Sequence, residues 1–203
     1  MEMMTRKIKF LLFSLFILSI GVNSQTLDML SVPAGFEIKI FATEIDSPRQ
    51  ITQTDNGHII VGSKKGTELI ALIDDDQDGF SDSKKIISKN LKNPTGVVFY
   101  KGDLYFAEID TIWIIEDIDK WLSSNSKILP ERSIYMNNLP SETWHGFKYI
   151  DFGPDGNLYI PVGVPCNICI EPQTKDKRFA AIHKYKNGEL ITVASGVRNS
   201  VGF

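Results

Sequence analysis

The sequence predicts an all-β chain: a β-propeller of four-stranded blades, incomplete, with about three blades and the start of a fourth. Three observations predict it. A glycine turn followed by an alternating apolar strand recurs three times. A second phrase, carrying polar residues, precedes each copy. The interval between copies is that of one blade.

The first phrase reads Asp55-Asn56-Gly57-His58-Ile59-Ile60-Val61-Gly62, then Lys101-Gly102-Asp103-Leu104-Tyr105-Phe106-Ala107-Glu108, then Gly153-Pro154-Asp155-Gly156-Asn157-Leu158-Tyr159-Ile160-Pro161-Val162-Gly163. Each copy is a hairpin signal, a tight turn that glycine permits, flanked by β-branched and aromatic residues. The turn glycines Gly57, Gly102 and Gly156 are spaced by 45 and then 54 residues. A β-sandwich of this length would not repeat at that interval. One short helix is expected, over Glu116 to Ser124, on a blade edge.

The second phrase is Ser47-Pro48-Arg49-Gln50-Ile51, then Asn93-Pro94-Thr95-Gly96-Val97-Val98-Phe99, then His145-Gly146-Phe147-Lys148-Tyr149-Ile150. A fourth copy, Arg198-Asn199-Ser200-Val201-Gly202-Phe203, has no hairpin after it. In a propeller the strand nearest the channel leads each blade. The phrase therefore gathers Arg49, Asn93, His145, Arg198 and Asn199 at one channel mouth. A chain ending inside a repeat is expected to be inactive alone.

Residues 1–24 are expected to be a cleaved signal peptide. Thr5 to Lys9 is basic, Phe10 to Val22 is apolar, and Asn23-Ser24-Gln25 is small and polar. The apolar run falls short of the roughly 20 residues of a spanning helix, although an uncleaved anchor is the alternative. Residues 25–203 form the propeller domain, expected in the periplasm or secreted, without stable membrane insertion. The formal charge of −3 becomes −5 once Glu2, Arg6, Lys7 and Lys9 are removed. An acidic chain without basic runs argues against nucleic-acid binding.

Asp74-Asp75-Asp76-Gln77-Asp78-Gly79-Phe80-Ser81-Asp82 resembles the front of a calcium loop, with Asp74, Asp76, Asp78 and Asp82 as ligands and a glycine where the chain must turn. The bidentate Glu expected at the twelfth position is Lys85. The alternative is a solvated acidic turn. Cys166 and Cys169 form Cys-x-x-Cys. Outside the cytoplasm a disulfide is expected. A redox pair, or a metal site with His183, are the alternatives.

His145 can act as a general base toward a sugar hydroxyl, or it can be structural. Arg198 and Asn199 offer a fork of donors and an amide for a carboxylate or oxyanion, or they can tie blades together.

At these residues the chain resembles a known family. The stretches Val32 to Ile38, Ser47 to Gln50, Trp144 to Lys148, Pro161 to Cys169 and Gly196 to Phe203 are similar to the glucose/sorbosone dehydrogenases, soluble sugar dehydrogenases that use pyrroloquinoline quinone (PQQ) on a six-bladed propeller. The resemblance spans roughly Leu30 to Phe203. It implies that His145 deprotonates the anomeric hydroxyl while hydride moves to the quinone. It implies that Arg198 and Asn199 hold the quinone oxygen, and it suggests Arg49 for a PQQ carboxylate. It further implies a sugar substrate and an external electron acceptor, with a cytochrome c as one candidate. A PQQ-activating calcium would be held by a later segment and be separate from any ion at Asp74–Asp82. One departure stands out. Where the glucose branch has an acidic residue after Gly163, this chain has Val164, as in the sorbosone-type branch. Two other functions compete. A calcium-dependent lactonase would need a channel carboxylate, for which Glu37 and Glu108 are the early candidates. A non-catalytic binding propeller would use the same channel residues only to line it.

Overall fold

The computed structural model describes Leu27 and residues 29–203 except Ile170. The predicted signal peptide lies outside the described residues. The chain divides into a unit ending at Lys39 and a unit from Ile40 to Phe203. In the first, a turn joins the Phe36 N–H to the Pro33 carbonyl (3.1 Å), and Lys39 pairs with Glu37 (3.2 Å) at the surface.

The second unit is all-β, with three four-stranded antiparallel sheets that resemble propeller blades. The first sheet takes its strands in chain order: β1 (Pro48–Gln53), β2 (Ile59–Ser63), β3 (Leu69–Ile73) and β4 (Ser83–Ser88). The second is β5 (Gly96–Tyr100), β6 (Asp103–Ala107), β7 (Ile112–Ile115) and β8 (Ser133–Met136). The third is β9 (Asp151–Phe152), β10 (Leu158–Val162), β11 (Ala181–Lys186) and β12 (Glu189–Ser195). Each predicted glycine turn joins the first two strands of a sheet. Gly57, Gly102 and Gly156 all have positive φ (89°, 94° and 72°), where a side chain would be strained.

The middle sheet is buried on both faces, and the two-residue period of a strand explains how. Val97, Leu104, Phe106 and Ile115 pack with Ile60, Leu69 and Ile87 of the first sheet. The alternate residues Val98, Tyr105, Ala107 and Ile112 pack with Leu158 and Ile160 of the third and with Ile150 just before it. The helix expected between Glu116 and Ser124 is α1 (Ile118–Leu122), whose Ile118 and Leu122 join the first of these cores. A second short helix, α2 (Glu171–Lys175), was not anticipated by the sequence pattern.

The leading strands β1, β5 and β9 lie side by side. Gln50, buried in β1, fastens them. Its amide donates to the Ile150 carbonyl (2.9 Å), and its oxygen accepts from the N–H groups of Val97 and Ile150 (both 3.3 Å). Thr52 adds a bond from the Phe99 N–H (3.0 Å). In the third sheet the leading strand is shorter than the phrase that announces it. His145 to Ile150 makes no ladder, and only Asp151 and Phe152 pair with β10. His145 instead sits in a turn with φ 54°.

Candidate functional site

The turn that carries His145 is held from several sides. The Gly146 N–H donates to the Thr143 carbonyl (3.1 Å). The Lys148 ammonium donates to the Gly146 carbonyl. A side chain at Gly146 would press into the Glu142 carbonyl, at 2.1 Å. Gly163, at the end of β10, lies equally close. An added Cβ there would meet the His145 carbonyl at 2.6 Å and the Asn199 amide oxygen at 3.1 Å. His145 and Asn199 thus close around a residue that has no side chain.

The imidazole itself is oriented by the backbone. His145 Nδ1 lies 2.6 Å from the Val164 carbonyl oxygen. A carbonyl can only accept, so Nδ1 carries the proton, and in the neutral imidazole Nε2 keeps its lone pair. The N–H of the same residue, Val164, donates to the Arg198 carbonyl (2.9 Å). One residue, Val164, therefore links the segments of His145 and Arg198 through its N–H and its carbonyl.

A cavity of about 340 Å³ opens beside His145, within the range of small-ligand sites. Arg49, Lys64, Lys148 and Asn199 line it with Gln50 and Thr95, and its aromatic walls are Trp144, Phe147 and Tyr149. Among the described residues no carboxylate lines it. Trp144 is 57 % exposed, with its ring centroid 5.7 Å from that of His145. Lys64 lies over the Phe147 ring, 5.5 Å from its centroid.

Of the residues the sequence gathers at the channel mouth, the structure puts Arg49, His145 and Asn199 around this cavity. Arg198 and Asn93 are not among its lining residues. The Arg198 side chain is exposed and reaches Asn167 Oδ1 in the cysteine loop (3.4 Å). Thr95 stands in the wall that the Asn93 phrase supplies.

Lys148 and Gln50 carried no role in the sequence reading. Lys148 is 1 % exposed, and burial pulls its ammonium down to about 8, partly offset by Asp110 and Glu142. The signal that could have found it is parity. Gly146, Lys148 and Ile150 are buried and the residues between them are less so, a strand's alternation without its ladder.

The β3–β4 hairpin brings Asp74, Asp76 and Asp78 together, with one oxygen from each within 4.8 Å of the others. The Asp74 oxygen Oδ2 accepts the Gly79 N–H (3.1 Å), and Oδ1 is buried without a partner. Asp82 is not in this group, because its carboxylate accepts the Asp75 N–H (2.7 Å). Lys85, at the twelfth position, turns to α1 instead. Its ammonium donates to the Trp121 and Ser124 carbonyls (3.0 and 2.8 Å) and sits 4.1 Å from the Trp121 ring centroid.

Cys166 and Cys169 are disulfide-bonded, with Cα atoms 6.1 Å apart. His183 is a core residue. Its Nε2–H donates to the Arg178 carbonyl (2.8 Å), and its Nδ1 accepts from the Thr192 hydroxyl (3.1 Å). Both ring nitrogens are in use, which leaves none for a metal. Glu108 is committed as well, accepting from the Lys92 N–H and the Trp113 indole N–H.

A family model described as "Domain of unknown function (DUF7133)" matches residues 23–202. An "Uncharacterized protein" of Borreliella burgdorferi is 30 % identical over 184 residues, covering 86 % of this chain and 45 % of its own. Among solved structures, a calcium structure of Trichoderma reesei carbohydrate-active enzyme family AA12 superposes with a TM-score of 0.68 at 16 % identity, over 85 % of this chain and 46 % of its own. The holo form of the pyranose dehydrogenase PQQ domain from Coprinopsis cinerea gives 0.64 at 16 % identity, over 78 % and 41 %. At these identities the likeness to the solved structures is one of fold. The chain spans less than half the length of each of these three relatives.

Proposed function

The chain belongs to the family described as a domain of unknown function (DUF7133), and from that premise we propose that it carries part of a quinoprotein site that oxidises an aldose or related sugar aldehyde with PQQ as hydride acceptor. The observation that carries the reading is the His145–Val164 hydrogen bond of 2.6 Å. In the neutral ring it leaves Nε2 as a base beside a cavity that the described residues line with cations and no carboxylate. The fold shared with the pyranose dehydrogenase PQQ domain supports the same reading.

The cavity suits such a cofactor. Arg49, Lys64 and Lys148 match a polycarboxylate, Asn199 can donate to a quinone oxygen, and the aromatic walls suit a planar ring system. When bound, PQQ supplies a two-electron acceptor for hydride. The residues of this chain do the rest. His145 Nε2 takes the proton of the sugar hydroxyl, and its ring is held for that task by the Val164 carbonyl. Asn199 presents a preorganised donor where negative charge develops. Gly163 allows base and donor to sit together. Arg198 supports the arrangement from outside the cavity, through Val164 and Asn167.

The β3–β4 hairpin is proposed as a separate structural calcium site, through Asp74, Asp76 and Asp78. Its motivation is the buried, unpartnered Asp74 oxygen in an oxygen-rich loop. We place the protein in the periplasm or outside the cell. The basic and apolar leader and the Cys166–Cys169 bond support this. Among the described residues no helix is long and apolar enough to cross a membrane.

The test is dye-linked oxidation across a sugar panel, with the full-length protein that carries this domain supplied with PQQ and calcium. Activity with an aldose, falling at least about a hundredfold in His145→Ala, is expected. Silence with every sugar, or full activity in the variant, would overturn the assignment.

A further inference from the structure

Lys148 is a buried cation in the wall of a ligand-sized cavity. Burying an ammonium is costly unless it is paired. The hydrogen bond made by this one goes to the Gly146 carbonyl, and an ammonium has three donors. The carboxylates whose charges act on it, Asp110 and Glu142, are not among the lining residues of the cavity. The charged and titratable groups that share the cavity with it are Arg49 of β1, Lys64 after β2, and His145 and the Tyr149 phenol of its own segment. None of these brings a negative charge. The backbone at Lys148 is fixed too. Its carbonyl would lie 2.5 Å from a Cβ at Gly96, so β5 and the Lys148 segment are packed without slack. Burying the ammonium costs stability, which its bond to the Gly146 carbonyl and the charges of Asp110 and Glu142 offset only in part.

We propose that Lys148 is the internal counter-charge for a carboxylate-bearing ligand in the cavity lined by Arg49 and His145. The carboxylate belongs either to the cofactor or to a sugar acid, and the choice of probe separates the two. The inference rests on the proposed function only for the first of these probes. It carries a pH signature. The ammonium loses its proton near pH 8 in the free protein, and a bound anion favours the protonated form. Binding therefore takes up protons around that pH, and affinity falls as pH rises above it.

Calorimetric titration of the protein with PQQ and, separately, with D-glucuronate against D-glucose tests this. For a probe that binds, affinity is expected to fall about tenfold from pH 7 to pH 9. Lys148→Met should bind about tenfold more weakly at pH 7 and lose most of that pH dependence, while Lys148→Arg should keep both affinity at pH 7 and discrimination against D-glucose. If Lys148→Met does not fold, proton uptake by the unaltered protein decides. Titrations at pH 8 in two buffers of different ionisation enthalpy should show a fraction of a proton taken up per ligand. Glucuronate binding that depends on Lys148, without PQQ binding, removes the quinoprotein reading and keeps this one. PQQ binding that is equal in Lys148→Met and in the unaltered protein, with the same pH profile, does the reverse. No carboxylate-bearing probe bound, or no proton uptake, overturns the inference.

Discussion

Single side chains decide how the site holds together, and Gln50 shows it most directly. It satisfies the Ile150 carbonyl and the Val97 and Ile150 N–H groups across three sheets. Truncation strands these buried groups, and each unsatisfied one costs about 1–3 kcal/mol. We expect Gln50→Ala to lose about 3 kcal/mol in denaturant unfolding. Gln50→Glu keeps the acceptors but turns a carboxylate toward the Ile150 carbonyl. Its folded state favours the protonated acid, so its deficit should be larger at pH 7 than at pH 5. A Gln50→Ala stability within 0.5 kcal/mol of the parent, a spread of about the size of ordinary surface changes, would remove this role. The sequence made His145, Asn199 and Arg49 visible because the repeat sets a base, an amide and a guanidinium at corresponding positions of successive blades. Gln50 and Lys148 stayed hidden for a physical reason. Polar residues in alternating strands usually face water, and only the neighbouring sheets decide that these two do not.

At the scale of elements, the repeat was legible and its local departures were not. The glycine turns and all three hairpins follow from residues that permit positive φ between apolar alternations. The shortened β9 does not, because alternation fixes which face a residue takes and not whether a partner strand stands opposite. Gly146, Lys148 and Ile150 keep the buried parity of a strand while the segment turns aside to present His145. The β3–β4 hairpin is the element with the clearest untested property. Its three aspartates converge with no cation among them from Lys85, whose ammonium is spent on the end of α1. Three converging carboxylates repel one another unless an ion joins them. Calcium that binds only the folded hairpin stabilises the protein by mass action, about 2.7 kcal/mol at a hundredfold excess over Kd. A rise in Tm with millimolar calcium is therefore expected, and Asp76→Asn should abolish most of it. Asp82→Asn should leave most of the calcium response intact, because Asp82 caps the Asp75 N–H instead of joining the cluster. Equal calcium responses in the parent and in Asp76→Asn would sink the site.

Across the whole second unit, the order of the sheets sets where stability resides. The middle sheet contributes to both apolar cores, one shared with each neighbour. The outer sheets each share one. Stacked units of this kind are held by their intrinsic stability and by nearest-neighbour interfaces. Phe106, fully buried in β6, belongs to the interface with the first sheet, while Tyr105 and Ala107 on the other face belong to the interface with the third. A cavity at Phe106 therefore loosens an interface directly and the middle sheet as a consequence. Phe106→Ala should cost about 3–5 kcal/mol. In β12, by contrast, Ile191 and Val193 are 40 % and 47 % exposed, so Val193→Ala should cost far less. Hydrogen exchange reads the same gradient without mutation. Amides of β6, paired on both sides and buried on both faces, should open only with global unfolding, whereas β12, paired on one side, should open by local events. The site sits across this gradient. Arg49 lies in β1, Thr95 just before β5 and His145 in the turn that leads to β9, so a cavity in the middle core should weaken ligand binding although Phe106 lines no part of the site. Exchange in β12 as slow as in β6, or ligand binding unchanged in a folded Phe106→Ala, would show that the sheets are stabilised independently and that the site does not depend on their stacking.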